Sequence, residues 1–189
     1  GDLLSSITEL ISTCKNRVAV SCFSSNVARI ETIAKAAQAN GRSVVLSGRS
    51  LQRMVQSAKS NGYLQGLPEF LTEDDAKQVP RENLLIICTG SQGEPRASLY
   101  RMAFEEHPRM ELSSGDTVIL SSRVIPGNEP GIAWMHNQLA RRGIKVLTAK
   151  DHFVHVSGHP CKEELLNMYQ SVRPEIAIPV HGEYRHLFA

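Results

Sequence analysis

Leu84-Leu85-Ile86-Ile87-Cys88-Thr89 is a six-residue run with no charged side chain and a single hydroxyl, at its last position. A strand with one wet face alternates apolar and polar residues, so an unbroken run predicts a strand covered on both faces. Working outward, similar short runs recur at Arg17–Cys22 (RVAVSC), Ser43–Ser47 (SVVLS), Thr117–Ser122 (TVILSS), Ile144–Thr148 (IKVLT) and Ile176–Val180 (IAIPV). Helical patterns fill the gaps. Leu3, Ile7, Leu10, Ile11 and Cys14 share one face of a helix over Leu3–Cys14. Asn26–Asn40 stops at Gly41, Ser50–Asn61 at Gly62, Ala97–His107 at Pro108, Gly131–Arg142 at Gly143, and Cys161–Val172 before Pro174. Leu64–Asn83 reads as an irregular connection around an acidic turn at Thr72–Ala76. This alternation predicts a three-layer α/β domain, Rossmann-like, with a mainly parallel central sheet flanked by helices.

Composition sets the bounds. At 189 residues the chain suits one domain. Lys and Arg number 21 against 19 Asp and Glu, which excludes a polybasic tail but not a local basic patch. No apolar run approaches the ~20 residues of a membrane helix, and the opening GDLLSSITEL lacks a signal peptide's basic start and apolar core. Cys14, Cys22, Cys88 and Cys161 form no C-x-x-C pair. Cys22 and Cys88 close apolar runs, as small buried hydrophobes do. The reading is a protein of a reducing cytoplasm without membrane contact.

In parallel sheets ligands gather at the carboxyl ends of strands. The segments there are Phe23-Ser24-Ser25-Asn26, Gly48-Arg49-Ser50, Gly90-Ser91-Gln92-Gly93-Glu94-Pro95, Arg123 to Asn128, and Asp151 to Pro160. Small, hydroxylated and glycine-rich loops leave backbone N–H groups open to an anion, and Arg29, Arg49, Arg96 and Arg123 lie near in sequence. The same residue types serve as ordinary helix caps and turns. No G-x-G-x-x-G, Walker or G-x-S-x-G motif is present.

Five of the seven histidines lie in the last 38 residues. His155 and His159 are four apart, but Ser157-Gly158 and Pro160 deny them a shared helix. Pro160 favours the first helical position, which puts His159 at or near the N-cap of the Cys161 helix. There it can donate to a phosphate oxygen or simply cap. His181, ending the last apolar run before Gly182, can be aimed into a site as a metal ligand or an acid–base group. A zinc ion needs three or four ligands, and no H-x-H-x-D-H is present to complete a set.

Four motifs together resemble a family. Cys22-Phe23-Ser24-Ser25-Asn26-Val27-x-Arg29, Thr89-Gly90-Ser91-Gln92-Gly93-Glu94-Pro95, His155-Val156-Ser157-Gly158-His159 and Pro179-Val180-His181-Gly182-Glu183-Tyr184-Arg185-His186-Leu187 are similar, in order, to the signatures of the β-CASP domain of ribonuclease J. The resemblance implies that residues 1–189 are a β-CASP domain whose last residues return toward a metallo-β-lactamase domain of the same chain. It implies an RNA-cleaving enzyme, endonucleolytic and 5′→3′ exonucleolytic, with two zinc ions. It makes His181 a metal ligand and His159 the proton donor to the leaving oxygen. It makes His155, Ser157 and Gly158 a pocket for an RNA phosphate or 5′-monophosphate, and lines the RNA path with Ser24, Ser25, Asn26, Gly90, Ser91 and Glu94. The other zinc ligands of the family and an acidic partner for His159 are missing, Asp2 being a poor match. The chain is therefore expected to be inactive alone and to hold no zinc tightly. Its expected partners are 5′-monophosphorylated RNA and the metallo-β-lactamase domain, with a homo-oligomer left open.

Three other readings stand beside this one. A nucleotide-binding α/β domain suffers from the missing glycine fingerprints. An interaction module would use the Leu64–Asn83 segment. A β-CASP nuclease acting on DNA is the third, since no residue pattern here detects a 2′-hydroxyl.

Overall fold

β-Branched and leucine side chains form the sheet because its three central strands bury both faces. In the computed structural model, which describes residues 2–179, 183 and 184, five strands pair in parallel in the order β2-β3-β1-β4-β5. They are β1 (Val18–Ser21), β2 (Ser43–Ser47), β3 (Leu84–Cys88), β4 (Thr117–Leu120) and β5 (Lys145–Leu147). The run that decides the fold, β3, is buried at all five positions and pairs with β1 and β2. Its side chains alternate between layers. Leu85 and Ile87 join a core with α1 (Leu3–Ser12), α2 (Val27–Ala39) and α3 (Arg49–Ser60). Leu84, Ile86 and Cys88 join a second core with α4 (Ser98–Ala103) and α5 (Glu129–Arg141). The three layers are those expected. Cys22 and Cys88 are buried as read, and burial pushes the Cys22 thiol up to about 12, so it is inert as a nucleophile at neutral pH.

Several boundaries differ for local reasons. Ile176–Pro179 is not a strand: Ile176 and Ile178 are 78% exposed, and Val180 lies outside the described residues. An apolar pattern makes a strand only where a neighbour supplies the ladder. The α4 helix stops at Ala103 rather than His107. Glu105 takes φ +61°, and Glu106 N–H donates back to Arg101 O at 2.8 Å. The α5 helix begins two residues early, at Glu129, with Pro130 in its first turn. Within the irregular connection lie two 3₁₀ turns, Asp75–Gln78 and Arg81–Asn83, and Leu71 bridges to Val45 on the outer edge of β2.

The two ends of the sheet are built differently. At the amino end arginines precede the strands and are spent on structure. Arg17 donates to Glu111 O, Arg42 to the carbonyls of Cys14, Asn16 and Leu84, and Arg142 to those of Met102, Ala103 and Leu112. Arg81 pairs with the fully buried Asp116. Buried carbonyls are costly to leave unpaired, so these struts close that end. The chain divides into two compact units, one ending at Val156 and one beginning at Ser157. The second contains α6 (Lys162–Val172).

Candidate nucleic-acid interface

The opposite, carboxyl end of the sheet is open. Helices α2, α3 and α4 begin there, each following its strand. A cleft of about 860 Å³ lies over the ends of β1, β2 and β3, bounded by Cys22, Gly48 and Thr89. Ser24, Gly90, Ser91 and Glu94, named from the sequence, line it. So do five arginines: Arg49, Arg53, Arg96, Arg101 and Arg109. Among the described residues Arg49, Arg53 and Arg96 have no hydrogen-bond or ion-pair partner. The α3 N-cap is Gly48, which offers no side chain to the first-turn N–H groups. Unpaired guanidinium groups around a helix start form a field that selects anions.

Beneath the arginines lies a polar floor that the sequence reading missed. Ser47 Oγ donates to Glu73 Oε1 at 2.7 Å and lies 2.5 Å from Ser98 Oγ. His107 Nδ1 accepts from Met110 N–H at 3.0 Å, which leaves the ring proton on Nε2, 3.1 Å from Ser47 Oγ. Arg109 reaches Glu73 at 3.9 Å. The early end of α4 is what folds His107 under β2. One part of this cluster was legible: Arg49 and Arg53 are four apart on a helix and share a face.

The other candidates divide by role. Asn26 Oδ1 accepts from Arg29 N–H at 3.0 Å and caps α2; Ser25 is exposed beside it. Gly90, at φ +114°, holds a position where a Cβ would fall 3.0 Å from Ala97 Cβ. Arg29 is 3% exposed and does not line the cleft. It donates to Ser121 O, Ser121 Oγ and Val154 O. Its Nη1 also lies 3.4 Å from His155 Nδ1, so Arg29 orients His155 rather than meeting a ligand. Gln92 ties two loops together: Nε2 donates to Arg123 O and Oε1 accepts from Ile125 N–H.

Ser157, Gly158 and His159 belong to the second unit. Ser157 Oγ accepts the His159 N–H at 3.1 Å. The N-cap is Cys161, so His159 stands two residues before the cap and Pro160 just outside the helix. The first turn of α6 carries Glu163 and Glu164, and Glu164 accepts from Cys161 N–H at 2.8 Å. This helix start is answered by its own carboxylates. His181 lies outside the described residues. Among the described residues no group of three or more His, Cys, Asp or Glu is placed to hold a metal. No described helix is long and apolar enough to cross a membrane.

Residues 15–139 match the family described as "Ribonuclease J, beta-CASP domain". The chain belongs to the ribonuclease J β-CASP family. Residues 143–189 match a second description, "Zn-dependent metallo-hydrolase RNA specificity domain". That stretch begins before β5, which pairs with β4 in the first unit, so the family boundary and the folding boundary differ. The Ribonuclease J of Sinorhizobium meliloti is 47% identical over 184 residues, 97% of this chain and 33% of that protein. That of Corynebacterium glutamicum is 41% identical over 189 residues, 100% of this chain and 26% of that protein. Ribonuclease J2 of Bacillus subtilis is 41% identical over 180 residues, 95% and 32% of the two chains. The chain thus spans about a third or less of the length of these relatives.

The histidines give this β-CASP chain a pH-dependent stability. Burial, the first cause in each case, holds His107, His136 and His155 below the ordinary histidine value of 6.5. The unfolded chain then binds protons at a pH where the folded chain does not. Stability is full above about pH 6.5 and falls as pH drops through the folded values. The urea midpoint is expected to be lower at about pH 5.5 than at about pH 7.5. An equal or higher midpoint at the acid value would contradict the half-buried, neutral state of these rings.

Proposed function

We propose that this chain is the RNA-guiding part of a zinc-dependent ribonuclease J, acting endonucleolytically and 5′→3′ exonucleolytically in RNA processing and decay in the cytoplasm. The observation that carries the reading is the cleft over β1, β2 and β3. It combines Arg49, Arg53 and Arg96, without partners among the described residues, with Phe23, an aromatic ring 38% exposed. Basic grooves with a stacking platform bind single strands without sequence preference. In this proposal Ser24, Ser25, Asn26, Gly90, Ser91 and Glu94 border the strand. His155, Ser157 and Gly158 receive the 5′-monophosphate. His159 protonates the leaving oxygen.

His181 is proposed as one ligand of a two-zinc centre completed by a metallo-β-lactamase domain, toward which the last residues return. The described residues supply no ligand set of their own. When bound, such an ion pair would activate water and stabilise phosphoryl charge. The chain alone is expected to bind RNA and not to cut it, and a homo-oligomer is compatible with it.

The test is binding of 5′-monophosphorylated single-stranded RNA to the 189-residue chain, read by fluorescence anisotropy across a salt series. The triple variant Arg49→Ala, Arg53→Ala, Arg96→Ala is expected to bind about 100-fold more weakly at low salt. The slope of log affinity against log salt should fall by about 2, roughly 0.7 for each phosphate that is no longer neutralised. An unchanged slope would overturn the assignment of this cleft. Equal binding of single-stranded DNA would show that these residues read phosphate and stacking rather than the 2′-hydroxyl.

A further inference from the structure

Three aromatic rings lie in a row across α4 and α5. Tyr100 and Phe104, four apart in sequence, stack with ring centroids 4.4 Å apart and planes 22° from parallel. Phe104 in turn stacks with Trp134 of α5 at 6.2 Å and 27°. Tyr100 and Phe104 are half-buried. Trp134, at the end of the row, is 55% exposed, and among the described residues it is the one exposed large apolar side chain of these two helices. Arg142, just past α5, donates to Met102 O at 2.6 Å and to Ala103 O at 2.9 Å, which fastens α5 to the end of α4 and fixes the row. The helical neighbours of Trp134 are Pro130, Asn137, Gln138 and Arg141, which bring one cation and no carboxylate. Glu105, next to Phe104 in the chain, is paired with Arg142 at 3.4 Å. The row also adjoins the arginine cleft. Arg101 lines that cleft and stands three residues before Phe104, a spacing that makes the two surface neighbours.

We infer that Trp134 is a second stacking platform, which takes a base of the single-stranded RNA whose phosphates lie in the arginine cleft, so that the strand leaves the cleft across α4. A base placed on Trp134 extends the existing row by one ring. A protein partner fits this surface less well. A specific interface buries about 800 Å² on each side around an apolar centre, whereas here one exposed ring stands among Pro130, Asn137, Gln138 and Arg141. A single base needs no more than one ring. Such stacking accepts any base, because every base has a π-face. It also requires a single strand, since the bases of a duplex have their faces against one another. The inference rests on the proposed RNA reading for the source of the strand, and on the aromatic row alone for the platform.

Trp134 is the only tryptophan of the 189-residue chain, so its emission reports on the platform directly. The chain is titrated with 5′-monophosphorylated single-stranded RNA of about 12 nucleotides, a length within the range of known single-strand sites. Inorganic polyphosphate, which carries charge without bases, is titrated in parallel. The RNA is expected to quench Trp134 saturably, and polyphosphate is not. In fluorescence anisotropy Trp134→Ala should bind the RNA about 5–50-fold more weakly with an unchanged salt slope, because a base contact is lost and no phosphate contact. Trp134→Phe, which keeps a ring, should recover most of that affinity. The titration of the unaltered chain stands even if Trp134→Ala fails to fold. Equal quenching by polyphosphate would make the change an effect of charge, and emission that varies with protein concentration alone would make the row a contact between copies. Either result overturns the platform. Binding of the RNA without quenching also overturns it, and leaves the RNA reading standing. Quenching that persists in the Arg49→Ala, Arg53→Ala, Arg96→Ala variant, with the salt slope unchanged, sustains the platform and overturns the arginine cleft instead. An RNA that does not bind at all overturns both.

Discussion

Gly93→Ala is expected to destabilise the chain by about 2–4 kcal/mol, a fall of roughly 6–12 °C in Tm for a chain of this size. Two costs add. Gly93 has φ +74°, where a side chain pays the left-handed penalty. The new Cβ would also fall 2.5 Å from Gly131 C and 2.6 Å from Ile132 N. These are backbone atoms of α5, so no rotamer change relieves the clash; the loop after β3 must lift off the helix. That loop carries Ser91, which lines the cleft, and Gln92, which fastens it to the loop after β4. Gly127→Ala provides the contrast. Its φ is +97°, but nothing lies within 4 Å of its Cβ position. It should pay the conformational cost alone, about 1–2 kcal/mol. Thermal unfolding of both variants checks this, and equal losses would show that the contact with α5 contributes nothing.

The same contrast explains what could be read from the residues. The layers were legible because burial on both faces writes itself into composition: Leu84 to Cys88 runs apolar without alternation and is too short for a buried helix. Ile176–Val180 carries the same kind of signal and misleads, because a strand also needs a neighbour and that condition is not encoded in the run. At the site, the strand-end rule found Ser24, Gly90, Ser91 and Glu94, since position after a strand is a local property. It could not rank the arginines. Arg29 sits in the first turn of a helix beside the cleft loops, like a phosphate ligand, yet it is buried and bonded to Ser121 and Val154. His107 and Arg109 reach the cleft after Glu105 turns the chain with a positive φ at a non-glycine residue. Tertiary packing decides that turn, and no spacing announces it. Trp134 was not singled out either, because one tryptophan in an amphipathic helix looks like packing until its ring is seen exposed beside Phe104.

In a longer ribonuclease J that contains this sequence, His159→Ala is expected to lower kcat by roughly 10²–10⁴-fold while changing RNA affinity little. The surroundings of the ring decide the size of the loss. A helix N-terminus could have held the phosphate by backbone N–H groups, masking the loss of an imidazole. Here that substitute is weak. The first turn of α6 bears Glu163 and Glu164, Glu164 already takes the Cys161 N–H, and the His159 N–H is given to Ser157 Oγ. The proposed proton to the leaving oxygen would have to come from the imidazole itself, and a group that acts in the transition state is read in kcat. Ser157 has a different signature. Its Oγ accepts from His159 and keeps its own O–H for a phosphate oxygen, so Ser157→Ala should mainly raise KM, with a smaller fall in kcat as His159 loses its brace. His159→Gln separates acid from scaffold, because it restores a hydrogen-bonding side chain that cannot act as a proton donor in general acid catalysis. Turnover should stay low in that variant, and the limb of the pH–rate profile belonging to the acid should vanish. Rescue by glutamine, or an unchanged kcat with a raised KM in the alanine variant, would make His159 a binding residue and send the search for the acid to another side chain.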